Sequence, residues 1–182
     1  PASNIPLVTL GAFLILMVKV SFYGGSVGSI TSKENADLVA LTILNTNTAG
    51  LAGAIVAGGL MLLKYKKIDI TMVLNGALGG LVSITAGPDL YNIYQPILIG
   101  AIGGVLVVFA VPVFDKLRID DPVGALSVHL VNGIFGSRDR GFLTGNPAEG
   151  ITLMGQLKGI IVVAIFAFVS SYIVLFIINK IS

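Results

Sequence analysis

The stretch PILIGAIGGVLVVFAVPVF, residues 96–114, contains no charged side chain and no polar face. A helix of this length rises about 28 Å, which is close to the ~30 Å hydrocarbon core of a bilayer. A helix at the surface of a soluble protein needs a polar side, and this stretch has none. It therefore predicts a helix that crosses a membrane.

The composition of the whole chain agrees with a bilayer environment. Of its 182 residues, 55% are hydrophobic and only 11% are charged, whereas soluble domains carry about 25% charged residues. The chain has no cysteine, which excludes disulfides and thiolate metal sites. Its net charge of +2 gives no reason to expect nucleic-acid binding.

Further apolar stretches predict an all-α membrane protein with six transmembrane helices, in one transmembrane domain over residues 1–182. The predicted helices cover approximately residues 5–30, 36–63, 70–86, 96–114, 122–136 and 153–178. The third and fifth are shorter than the ~20 residues of an ideal span. The start at Pro1 lacks the pattern of a signal peptide, so we expect a processed form or part of a longer polypeptide.

The basic residues that flank these helices predict an orientation. Lys19 apart, one side carries Lys64, Lys66, Lys67, Lys116, Arg118 and Lys180, and the other carries Lys33, Arg138, Arg140 and Lys158. The side richer in basic residues is usually cytoplasmic. We therefore expect a multi-pass protein of the cell membrane, with both ends of this segment in the cytoplasm.

Small residues recur at four-residue intervals in three of the predicted helices. They are Ala49, Gly53 and Ala57, then Gly76 and Gly80, then Gly100 and Gly104. Small residues at this spacing let helix backbones approach each other closely. The pattern indicates a compact helical bundle and says nothing about a substrate.

The chain's only histidine follows two acids at the start of the fifth predicted helix. Asp121 suits the N-cap and Pro122 the first helical position, and Asp120 and Asp121 both complement the helix dipole, so the acids have an architectural interpretation. His129 lies about 12 Å further along the helix, where a polar group normally faces a bundle interior or a water-accessible path. A buried imidazole favours its neutral form, which could pass on a hydrogen bond or a proton.

A second polar group lies on the first predicted helix. Lys19, Phe22 and Ser26 are three and four residues apart, so they share one face. Taken singly, Phe22 is typical of a lipid-facing or core position, and Ser26 of a hydrogen bond to the backbone. The ammonium group of Lys19 must reach the interface, pair with another group or line water.

Asparagines and threonines also occur inside the predicted helices. They are residues 45–48, Asn75 and Asn132, the last of which lies one turn after His129. The simplest explanation of these residues is hydrogen bonding between helices.

Several of these stretches resemble the carboxy-terminal half of the ammonium transporter family (Amt/Mep/Rh). IDDPVGALSVHLVNGIFG, residues 119–136, is similar to the family's Asp-Asp-Pro helix with its pore histidine. SFYGGSVGS, residues 21–29, is similar to its Phe-Asn-x-Gly-Ser segment. The resemblance covers residues 5–179. It implies one five-helix repeat of an inverted-repeat transporter plus the final helix, without the amino-terminal half.

The resemblance also implies roles for particular residues. His129 matches the second histidine of a hydrogen-bonded pair in the pore, Phe22 one of two stacked phenylalanines at the pore mouth, and Ser26 a hydroxyl that helps bind ammonium. Asp121 matches an acid at the cytoplasmic start of its helix. Supporting rather than substrate-binding roles are expected for Asp120, Asp121, Asn132 and Lys19.

The activity implied by the resemblance is channel-like transport of ammonium or ammonia, with methylammonium as a further substrate. Ammonium would be recruited outside the pore, and its proton and neutral ammonia would then cross separately or in relay with help from histidine. A complementary amino-terminal half would complete the pore, and the protein would be a homotrimer in membrane lipid.

Three positions differ from the family pattern. Lys19 stands where an aromatic residue is usual, Tyr23 replaces an asparagine, and Leu130 replaces the glycine after the histidine. Because a fixed cation beside Phe22 would repel ammonium, a non-conducting sensor or assembly module is the alternative to a transporter half.

An enzyme is not expected from this sequence. Ser127 is two residues from His129 and so lies off its helical face, which leaves no nucleophile–base pair. No cofactor and no metal site are predicted.

Overall fold

The computed structural model describes residues 4–121, 124–143 and 152–181; the side chains of Val20 and of residues 139–143 are not described. Throughout this part of the chain the regular elements are helices, and no strand occurs. The chain divides into two units, Pro1–Gly136 and Ser137–Ser182.

The described residues form α1 (Ile5–Ser26), α2 (Lys33–Tyr65), α3 (Ile70–Ile84), α4 (Gln95–Lys116), a π-helical segment (Ala125–Leu130) that continues into α5 (Val131–Leu143), and α6 (Leu153–Ile181). Of these, α1, α2, α4 and α6 are long and apolar enough to cross a membrane. The prediction of an all-α protein with several apolar spans is confirmed. A count of six spans is not established, because α3 has only 15 residues and rises about 22 Å.

Two helix boundaries differ from their predicted positions. Helix α1 ends at Ser26 rather than near residue 30, and Gly28 follows it at a φ of +84°. The fifth helix begins at Ala125 rather than at residue 122, because Gly124 has a φ of +75° and interrupts the helical backbone. Pro122, predicted as the first residue of that helix, lies outside the described residues.

The core of the first unit is the close contact of α2, α3 and α4. Gly80 on α3 and Gly100 on α4 both lie against the carbonyl oxygen of Ala49 on α2, where an added Cβ atom would overlap it. Gly53 makes a similar backbone approach to Gly76 and Gly104. The predicted close packing of small residues therefore occurs, and dispersion between backbones holds these three helices together.

The connection after α3 is partly buried, and α2 satisfies its backbone. Asn45, which is 1% exposed, donates through Nδ2 to the carbonyl oxygens of Pro88 (2.8 Å) and Tyr91 (2.9 Å). Thr46 and Thr48 donate to carbonyls of their own helix. At Asn45, Thr46 and Thr48, the hydrogen bonds predicted between helices are thus replaced by bonds to a connection and within α2.

The remaining helices of the first unit pack around α3. Helix α1 contacts α2 and α3, and the π-helical segment contacts α3 and α4. In the second unit, none of the side chains of α6 is buried and most of its apolar ones are exposed, as expected for a helix whose surroundings are lipid or other helices.

Candidate functional site

His129 lies in the π-helical segment, and Gly124 determines how that segment begins. The carbonyl of Gly124 accepts from the backbone N–H groups of Val128 (2.9 Å) and His129 (3.3 Å). A Cβ at Gly124 would lie 2.7 Å from a methyl group of Val128, in addition to the strain of a positive φ. Single π-turns inside helices often occur at functional sites.

Asp121 acts as the cap of this segment. Its carboxylate accepts from the backbone N–H groups of Leu126 (3.1 Å) and Ser127 (2.8 Å) and from the Ser127 hydroxyl (2.8 Å). Partial burial alone would raise the pKa of Asp121, but these hydrogen bonds, with one from the backbone of Ala125, outweigh it, so the pKa is lowered from its usual value. Asp120 beside it is exposed.

The imidazole of His129 is exposed within the first unit, which differs from the predicted buried ring. Its Nδ1 lies 3.4 Å from the carbonyl oxygen of Gly124. Because a carbonyl only accepts, this weak contact favours a proton on Nδ1 and leaves Nε2 with a lone pair.

Asn132 has a structural environment one turn further on. Its side chain is 0% exposed, its Oδ1 accepts from the Ser83 hydroxyl on α3 (3.1 Å), and its Nδ2 donates to the carbonyl of Val128 (3.0 Å). The predicted hydrogen bond between helices is present here. It ties the helix that carries His129 to α3.

On α1, the predicted face separates into exposed and packed side chains. Phe22 is 65% exposed, and Ser26 is exposed with its hydroxyl donating to the Phe22 carbonyl (2.8 Å). Lys19 is half-buried, and its Nζ lies 3.5 Å from the hydroxyl of Tyr23. The Tyr23 hydroxyl in turn contacts that of Thr85, just beyond α3.

The structure therefore brings the predicted residues together in two groups rather than one. Lys19, Phe22 and Ser26 share α1, whereas His129 lies in the π-helical segment, and within the described residues no contact joins these two elements. Both are attached near the same end of α3, one through Thr85 and the other through Ser83.

Four supporting residues were not predicted from the sequence: Tyr23, Ser83, Thr85 and Gly124. Tyr23 is 4% exposed and Ser83 is 0% exposed, but a tyrosine or serine in an apolar helix gives no sign of its partner in another helix. A glycine five residues before a helical histidine was the available signal for Gly124.

Comparison with known proteins gives this arrangement a context. The sequence model of the Ammonium Transporter Family matches residues 1–182. The ammonium transporter Amt1 of Methanocaldococcus jannaschii is 30% identical over 178 residues, which are 96% of this chain and 44% of that protein. The ammonium transporter Amt2 of the same organism is 31% identical over 173 residues, 93% of this chain and 39% of that protein.

Two solved structures have a similar fold. A Sensor Amt Protein aligns with a TM-score of 0.78 at 32% identity, over 88% of this chain and 40% of that one. Mep2 of Candida albicans aligns with a TM-score of 0.86 at 22% identity, over 98% of this chain and 42% of that one, and this likeness concerns the fold alone.

This chain thus spans about two-fifths of the length of the relatives it matches. The match of the family model nonetheless covers every residue of it. Together with the long apolar helices, it shows a multi-pass membrane protein related to transporters rather than to enzymes. The chain belongs to the ammonium transporter family.

Proposed function

We propose that this chain is the pore-forming part of an ammonium transporter that corresponds to the family's carboxy-terminal half. Together with a complementary amino-terminal half, it would enclose an apolar route lined by His129, with Phe22 at its mouth and Ser26 outside it. The assembly would be a homotrimer in the cell membrane, with both ends of this segment in the cytoplasm.

The observation that carries the proposal is the placement of His129. Its ring is exposed within the first unit, although the backbone around it is tightly held by Gly124, Asp121 and Asn132. An imidazole in an apolar span is costly unless a neighbour or water meets it. A second set of helices on this side would enclose the ring and supply a partner for Nε2.

The chemistry of the substrate suits such a route. Moving a charged group through the bilayer centre costs about 2.5–3.5 kcal/mol on insertion scales, and more in simulations. Neutral ammonia avoids most of this cost. A neutral imidazole with one donor and one acceptor nitrogen can exchange the proton that ammonium gives up.

Flux in proteoliposomes tests the role of His129. The chain is reconstituted with a complementary half, and methylammonium uptake is measured for wild type, His129→Ala and Leu130→Ala. Leu130 is the matched control because it is the exposed apolar neighbour of His129. We expect at least a tenfold loss for His129→Ala and a change below twofold for Leu130→Ala. Equal flux in all three would contradict the proposed route.

The same assay tests the residues of α1. Ser26→Ala is expected to raise the half-saturating methylammonium concentration, whereas Ser21→Ala is not, although both hydroxyls donate to a carbonyl four residues earlier. Phe22→Ala should raise the leak of small solutes, and Phe13→Ala, which removes another exposed ring from α1, should not. If Ser26→Ala and Ser21→Ala have the same half-saturating concentration, the role of Ser26 is wrong. If Phe22→Ala and Phe13→Ala have the same leak, the role of Phe22 is wrong.

A non-conducting sensor is the second candidate function. Two observations favour it: the 32% identity to a Sensor Amt Protein, and the ammonium group of Lys19, which lies on Tyr23, whose ring packs against Phe22. A sensor would bind methylammonium saturably while the reconstituted assembly shows no flux above empty liposomes. Saturable flux that depends on His129 would exclude it.

A further inference from the structure

Lys19 places a cation inside an apolar helix, about 10 Å before the end of α1. Charged groups at such positions are rare and have a specific partner or path. A lysine can extend along its helix to reach water, yet this one is directed at Tyr23. Its Nζ lies 3.5 Å from the Tyr23 hydroxyl and 5.9 Å from the centroid of the Tyr23 ring, within the range of a cation–π contact.

The hydrogen bonds behind Tyr23 have a fixed direction. Thr85 donates its hydroxyl proton to the carbonyl of Leu81 at 2.8 Å, so towards Tyr23 it can only accept. Tyr23 therefore donates to Thr85 and keeps its own lone pairs for Lys19. The series of hydrogen bonds thus ends at the carbonyl of Leu81, and its first member, which contacts Tyr23, must be a donor. An ammonium group has three donors and no acceptor, so it meets that requirement.

We propose that the ring and hydroxyl of Tyr23, backed by Thr85, form a binding site for primary ammonium cations, and that Lys19 fills this site as a tethered occupant. While Lys19 is there, it hinders free ammonium ions from passing Phe22, whereas Ser26, four residues further along α1, stays accessible to them. The exclusion of ammonium ions rests on the proposed function, because it concerns the same transport route. The binding site at Tyr23 does not depend on that function.

The position of Phe22 explains how the effect reaches the route. Its ring packs edge-on against the Tyr23 ring, with centroids 5.6 Å apart and planes at 70°. A second cation on the exposed side of Phe22 would share this pair of rings with Lys19, and like charges in an apolar span repel each other more strongly than in water. Neutral ammonia feels no such repulsion, so Lys19 would select the neutral form over the ion.

An amine-rescue experiment tests the site without any transport. The purified chain and its Lys19→Ala variant are unfolded thermally with increasing propylammonium, or with 1-propanol as the uncharged probe of the same size. For the variant we expect a saturable rise in Tm of about 3–6 °C at tenfold over Kd, which follows from ligand linkage in a protein of this size. The wild type and Lys33→Ala, which removes an exposed lysine on α2, should show no saturable rise.

The double variant Lys19→Ala/Tyr23→Phe identifies the acceptor. Without the Tyr23 hydroxyl, the Kd for propylammonium should increase at least threefold. If Lys19→Ala responds no differently from wild type, or responds equally to 1-propanol, the cation site is overturned. If Lys19→Ala does not fold, Lys19→Met is used instead, because it keeps the side-chain volume without the charge. The methionine still fills the site, so the Tm of this variant should not respond to propylammonium. A saturable response would count against the proposal.

Charge movement tests the exclusion. In proteoliposomes with the complementary half, an ammonium pulse should evoke a current at least fivefold larger in Lys19→Met than in wild type. Equal currents, including none in either protein, overturn the exclusion even if amine rescue supports the site. Loss of His129-dependent uptake concerns the proposed function alone, so the two failures are distinguishable.

Discussion

Gly124→Ala tests how the start of the π-helical segment contributes to the free energy of unfolding. Gly124 has a φ of +75°, and an added Cβ would lie 2.7 Å from a methyl group of Val128. A non-glycine residue in this backbone region costs about 1–2 kcal/mol. Val128 is 0% exposed and cannot move aside freely, so overpacking adds about 1–3 kcal/mol. The free energy of unfolding should therefore fall by about 2–5 kcal/mol in total.

Gly28→Ala is the matched control for the backbone part of this cost. Gly28 has a φ of +84°, and a Cβ added there would meet no heavy atom within 4 Å, so the variant carries the strain of a positive φ without a steric contact. The difference between the two variants isolates the contact with Val128, about 1–3 kcal/mol. Chemical unfolding in detergent micelles, followed by helical circular dichroism, measures both values.

The functional consequence follows from the hydrogen bonds of Gly124. Its carbonyl accepts from the backbone N–H of His129 and lies 3.4 Å from the imidazole Nδ1, so relief of the contact with Val128 displaces His129. We expect methylammonium uptake to fall in Gly124→Ala and to persist in Gly28→Ala. Equal stability losses in the two variants would refute the reasoning, because the steric contact would then contribute nothing.

Three further predictions concern the packing and polar contacts of the first unit. Gly100→Ala should lower the free energy of unfolding by about 1–3 kcal/mol, because its Cβ would overlap α2. Gly59 on α2 has open space around it, so Gly59→Ala should raise the free energy of unfolding by about 0.5–1 kcal/mol. Chemical unfolding measures both changes. Asn132→Ala should cost about 1–3 kcal/mol by leaving the buried Ser83 hydroxyl without its partner, and adding Ser83→Ala should recover part of that loss in a double-mutant cycle. The lowered pKa of Asp121 means that its ionised form stabilises the fold above its ordinary pKa of about 3.9, and that this stabilisation is lost as the pH falls through the lower folded value; Asp121→Asn should therefore show a weaker loss of thermal stability than wild type on acidification.

The helices were predictable because the bilayer leaves few alternatives. A long run without charge can satisfy its backbone only as a helix, so residues 96–114 were identified almost to their ends. The close approaches at Gly80 and Gly100 were also predictable, since spacing alone places small residues on one face.

The polar partners were not predictable, because they depend on which helices become neighbours. Tyr23 and Thr85 are 62 residues apart in sequence, and Ser83 and Asn132 are 49 apart. The start of the π-helical segment depends on the backbone of Gly124, whereas Asp121 and Pro122 alone predict an ordinary α-helical start three residues earlier. For the same reason the exposure of His129 could not be foreseen: it depends on which neighbours the first unit supplies, and those are not encoded near residue 129.

The buried connection after α3 has a practical consequence for engineering this protein. Surface loops usually accept inserted tags, and the connection that contains Gly28 and Thr31 is exposed enough to do so. In residues 85–94, by contrast, Pro88 and Tyr91 are buried, and their carbonyls accept hydrogen bonds from one asparagine of α2. An epitope inserted there would separate these carbonyl groups from their donor, and lipid cannot form hydrogen bonds with them. Fluorescent or affinity labels therefore belong in the connection between α1 and α2 and not in the one between α3 and α4.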